Sequence, residues 1–140
     1  MTPVINYAAV VGAAVASMVL GFLWYGPLFG KPWMAIMGFT KESMEKAKKG
    51  MGKNYALMTL GSLVMAYVLA HSLIFAATYT KTSGMQAGLM VGFWNWLGFI
   101  APVEMGAQLW GGKPWKLFVI NAGYYLVSLC VMGVILALWQ

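Results

Sequence analysis

Hydrophobic and polar positions along this chain fall into long blocks rather than alternating every second or fourth residue. Apolar stretches cover 4–25, 55–78, 85–106 and 117–139, with short polar segments between them. A helix rises about 1.5 Å per residue, so roughly 20 apolar residues cross the hydrocarbon of a bilayer. All four stretches meet that length. The first, second and fourth carry no acidic or basic side chain except His71, and the third meets its only charge at Glu104. Backbone amides in lipid must pair within a helix or a closed barrel, and runs this long without alternation do not suit barrel strands. The pattern predicts an all-α integral membrane four-helix bundle, a single transmembrane domain over 1–140. The first stretch has no basic leader and stays apolar beyond Ala14-Val15-Ala16, so it reads as a retained span rather than a cleaved signal.

Composition agrees with a lipid setting, since 61% of the residues are hydrophobic and 9% are charged, where soluble domains carry roughly a quarter charged. The formal net charge of +6 arises from nine lysines against three glutamates, with no arginine. Without arginine's planar fork for bases and phosphates, nucleic acid is not an expected partner. Lys31, Lys41, Lys46, Lys48, Lys49 and Lys53 follow the first stretch, Lys113 and Lys116 follow the third, and Lys81 alone follows the second. By the positive-inside rule the first and third loops face the cytoplasm and both termini face outward. Trp24, Tyr25, Trp33, Tyr55, Trp110 and Trp115 then fall at one headgroup layer, with Tyr7, Tyr79 and Trp139 at the other.

The long first loop predicts a short interfacial helix capped by Thr40, with Glu42 and Glu45 near its start and Lys46 and Lys49 near its end, stopping at Gly50 to Gly52. Met37, Met44 and Met51 give it and its flanks an apolar side, so it is expected along the inner membrane surface, held by anionic lipid. An internal repeat is also visible. Leu20-Gly21-Phe22 and then Gly30-Lys31-Pro32-Trp33 close the first stretch; Leu97-Gly98-Phe99 and then Gly112-Lys113-Pro114-Trp115 close the third. This suggests a duplicated helical hairpin with halves 1–70 and 71–140, related by an axis along the membrane normal. Each GKPW reads as a helix stop with a membrane-interface anchor: glycine ends the helix, proline blocks its continuation, and lysine and tryptophan meet the headgroups.

Helices in lipid associate through small residues and polar pairs. Ala9, Ala13, Ser17 and Gly21 form one stripe at spacing four, and Gly84, Gly88 and Gly92 form another. These stripes are expected to pack against each other or against a second subunit, and a homo-oligomer is expected. Two polar groupings are candidate ligand sites. Glu104, the only acid outside the lysine-rich loop, follows a helix break expected at Pro102 and falls at the depth of Gln108, Asn121 and Tyr124. Trp94, Asn95 and Trp96 lie near the expected midplane about a helical turn from the depth of His71, where Asn95 and His71 could pair beside an indole-walled pocket. One histidine and the lone Cys130 supply no metal or cofactor set, and Ser17, Ser72 and Ser128 have no base and acid at nucleophile spacing. No catalytic constellation is visible, and an enzyme is not expected.

The stretch Gly21-Phe22-Leu23-Trp24-Tyr25-Gly26-Pro27-Leu28-Phe29-Gly30-Lys31 with Trp33-Met34 resembles the opening signature of the bacterial membrane family DUF1761. Asn121-Ala122-Gly123-Tyr124 through Met132-Gly133 to Trp139 is similar to that family's end. The resemblance implies a small four-helix protein of the bacterial inner membrane and brings no activity with it. The function expected from the sequence is binding or conduction of a small or lipophilic molecule at one of the two polar groupings. The alternative is a structural or accessory membrane subunit whose surface helix docks a partner or anionic lipid, and a membrane-embedded enzyme ranks third.

Overall fold

The computed structural model describes residues 4–139; the outermost residues of the expected 1–140 domain, 1–3 and 140, lie outside that range. Every regular element among the described residues is helical. In chain order they are α1 (Tyr7–Leu23), a π-helical turn (Trp24–Leu28), α2 (Gly30–Met37), α3 (Lys41–Lys48), α4 (Met51–Thr80), α5 (Gly84–Asn95), a second π-helical turn (Trp96–Ile100), α6 (Ala101–Gly111) and α7 (Trp115–Leu138). Three continuous helices, Tyr7–Leu28, Met51–Thr80 and Trp115–Leu138, are long and apolar enough to cross a membrane. The third expected span is instead three segments in series. Pro102, at the second position of α6, has no N–H for the preceding turn, and the π turn at Trp96–Ile100 absorbs the misfit without ending the helix.

Local chemistry accounts for the ends of these elements. Asn6 caps α1, its Oδ1 accepting from the amides of Ala8 and Ala9, while its Nδ2 donates to the Trp139 carbonyl at 3.0 Å and ties the two chain ends together. Thr40 caps α3 as expected, in a reciprocal box with Ser43 rather than with a glutamate. The two GKPW tetrapeptides, identical in sequence, differ in conformation. Gly112 takes φ +67° and stops α6, and Pro114 caps α7, which matches the expected stop. Gly30-Lys31-Pro32-Trp33, expected to be a stop as well, is the first turn of α2. Proline is tolerated there because first-turn amides have no intrahelical partner, and the break falls one residue earlier at Phe29.

α1 and α5 run antiparallel to α4 and α7, and α7 is the central helix, touching α1, α4, α5 and α6. The α1 stripe is buried at Ala9, Ala13 and Ser17, where α1 meets α4 and α7. The α5 stripe does not pack on the α1 stripe. It faces α7, where the two backbones lie in direct contact. A Cβ on Gly88 would lie 2.5 Å from the Gly133 carbonyl oxygen, and one on Gly92 would lie 2.7 Å from Cys130 Cα. The missing element of the expected pairing was Gly133, the small residue on α7 that lets the two backbones touch. Gly84, expected in the same stripe, has open space around it and supplies a φ of +62° at the start of α5.

Candidate functional site

Near the lysine-rich end of the bundle the helices separate. α1 and its π turn, α2, α4, α6 and α7 line an open-sided chamber of about 640 Å³. Met18, Met37 and Met58 give it apolar walls, while Glu104, Asn121, Ser62 and four tyrosines supply polar atoms. Glu104 is the only charged side chain among its lining residues, although the chain carries nine lysines.

The π turns set this geometry. A π turn rotates its side chains relative to a continuing α-helix, and each of these two begins with a tryptophan aimed at α7. Trp24 Nε1 donates to the Ile120 carbonyl at 2.9 Å, and Trp96 Nε1 donates to the Ala122 carbonyl at 2.7 Å. With Trp24 pinned, Tyr25 turns inward and its hydroxyl donates to Asn121 Oδ1 at 2.8 Å. Tyr124 is buried and donates to the Ser17 carbonyl at 3.0 Å, beside Gly21, where a Cβ would press on its hydroxyl oxygen at 3.2 Å. Tyr25 meets Trp33 and Tyr124 edge-on, with ring centroids 5.3 and 5.4 Å away, and Tyr124 lies 5.0 Å from Tyr125. Trp24 and Tyr25 therefore serve the interior, where a headgroup anchor was expected.

Of the first expected polar grouping, Glu104, Asn121 and Tyr124 line the chamber, and Gln108 is buried on α6 outside the lining. The second grouping does not assemble. Asn95 Nδ2 donates to the Val91 carbonyl at 2.8 Å, and His71 Nδ1 lies 3.0 Å from the Tyr67 carbonyl, so each is satisfied by its own helix and not by the other. Trp94 is 61% exposed, and Trp96 is engaged with α7. None of the four lines this chamber or the smaller cavity of about 370 Å³ at the opposite end, between Val4, Asn6, Leu73 and Leu136. Tyr25 and Trp33, expected as headgroup anchors, and Ser62 and Tyr125 line the chamber without having been expected as site residues. Their signal was depth, since Tyr25 ends the first span at the level where Asn121 begins the last.

A family model described as a protein of unknown function (DUF1761) matches residues 8–137, nearly the whole chain. The chain belongs to the DUF1761 family. No curated protein and no solved structure matches it. Membership in DUF1761 thus covers both the chamber and the α5–α7 contact and leaves the chemistry to be read from the site itself. Among the described residues no group of three His, Cys, Asp or Glu side chains is placed to hold a metal ion. What the chamber offers is hollow volume, aromatic surface, hydrogen-bonding hydroxyls and one carboxyl group.

Proposed function

We propose that this DUF1761 protein crosses a bacterial inner membrane four times, with both termini outside and with copies of itself as neighbours, and binds a small amphipathic molecule in the Glu104 chamber. The chamber carries the reading: its volume lies within the roughly 300–1,000 Å³ typical of small-molecule sites, with mostly apolar walls and a few convergent polar groups. Lipid around the bundle is supported by its outer surface. Val11, Val15 and Val19 on α1 and Leu57, Leu60, Val64, Val68 and Phe75 on α4 are all exposed, a larger apolar face than a soluble monomer presents. Gly84–Gly111 supplies the fourth crossing, because its π turn keeps backbone groups paired through the Pro102 misfit. Lysine placement supports the orientation, with α2 and α3 on the cytoplasmic surface near anionic lipid.

The structural-subunit alternative requires occluded polar groups that bond to one another or to backbone. Asn95, His71 and Trp96 behave that way, and Asn121 accepts from Tyr25, whereas Glu104 lines open volume, so binding is assigned to the chamber and a packing role to the others. Photolabelling tests the reading. A photoreactive aliphatic diazirine applied to detergent-purified protein is expected to label Tyr55, Met58 and Tyr125 saturably, and Met18→Trp, which fills the chamber, is expected to abolish that labelling. Labelling that never saturates and is the same in Met18→Trp would refute a binding chamber.

A further inference from the structure

Resting on that reading, we propose that the chamber selects an organic monocation, an ammonium or phosphonium centre bearing apolar substituents, held by Glu104 against the surrounding aromatic rings. Six aromatic residues line the space: Phe22, Tyr25, Trp33, Tyr55, Tyr124 and Tyr125. They form two connected walls. Phe22 stacks on Tyr55 at 5.6 Å between α1 and α4, and Tyr25 links Trp33 to Tyr124 through rings inclined at 66° and 64°. Aromatic faces carry negative quadrupole density and attract a cation. Glu104 adds one formal negative charge on the α6 side, and no lysine among the lining residues offsets it.

Other ligand classes fit less well. A carboxylate or phosphate would meet Glu104 with no cationic partner in the lining. A neutral hydrocarbon would leave the Glu104 carboxyl without a partner. A metal ion needs several ligands, and the chamber presents a single carboxylate. The charge of the ligand is therefore set against that of the protein, whose net charge is +6. Nonspecific electrostatics would draw anions to this chain, which makes cation preference a demanding outcome.

The test compares tetraphenylphosphonium with tetraphenylborate, equal in shape and opposite in charge, by calorimetric titration of the intact protein in nonionic detergent with empty micelles subtracted. The phosphonium is expected to bind about ten-fold tighter or more, as befits one charge-assisted contact. Glu104→Gln should remove that preference while retaining the wild-type elution volume and melting temperature. Tyr25→Phe, which keeps the ring and loses the bond to Asn121, should retain it. Equal affinities in the wild type, or tighter borate binding, would overturn the proposal, and that comparison stands even if Glu104→Gln fails to fold. Saturable diazirine labelling together with equal affinities would remove the cation and leave the chamber as a binding site. Loss of both would remove the two readings together.

Discussion

The contact between α5 and α7 and the chamber beside α7's first turns are two ends of one helix put to opposite uses. At the α5–α7 seam, Gly88 and Gly133 bring backbone onto backbone, and no side chain of any size fits between them. At the chamber, Asn121, Tyr124 and Tyr125 on the same helix line open volume, with Asn121 bonded to Tyr25 and Tyr124 to the Ser17 carbonyl at its α1 side. In lipid the hydrophobic drive between helices is weak, so close van der Waals contact has to hold them. The difference teaches that a small bundle can keep a chamber beside one stretch of a helix provided another stretch of that helix is fastened. The second fastening is polar: two indole bonds from the π turns to α7 carbonyls keep the chamber walls at a fixed distance.

The substitutions that separate the two regions differ in size. Gly88→Leu drives side-chain atoms into the Gly133 backbone and should cost about 3 kcal/mol or more, as strong overpacking does, read by unfolding in mixed micelles. An unchanged midpoint would mean that the seam does not hold the bundle. Gly92→Ala meets Cys130 Cα at 2.7 Å and should cost roughly 1–3 kcal/mol in the same measurement. Replacing Trp24 or Trp96 by Phe removes one N–H donor to α7 and should cost about 1 kcal/mol each, in the range found for interhelical bonds in lipid. At the small end is Ser128→Ala. Its hydroxyl is buried without a partner among the described residues, so the change should stay within about 0.5 kcal/mol and can stabilise.

How much of this was legible follows from which interactions are local. Long unalternating apolar runs favour helices in lipid, so hydropathy alone gave spans at 4–25, 55–78 and 117–139, which the structure extends or shifts to 7–28, 51–80 and 115–138, and Thr40 announced α3 through a cap formed within four residues. The grouping of Glu104, Asn121 and Tyr124 could be read because depth along a helix is countable, although the break expected at Pro102 is a π turn that keeps the helix continuous. Partner choice was not legible in the same way. The α5 glycines show spacing but not direction, and Gly133 stands among large residues where no stripe draws the eye. His71 and Asn95 lie about a helical turn apart in depth, within reach of a pairing, yet each reaches a carbonyl four residues back on its own helix, a bond that needs no neighbour. GKPW misled at its first occurrence because proline blocks a helix interior but suits a first turn, and only Phe29's position decides which applies.

The most direct comparison is a paired melt of Met18→Trp and Gly88→Leu in one detergent. Filling the chamber should leave the unfolding midpoint within the spread of conservative replacements, while filling the seam should lower it sharply. Equal and large losses from both would mean that the lysine-rich end is as tightly packed as the glycine contact, leaving no room for a guest.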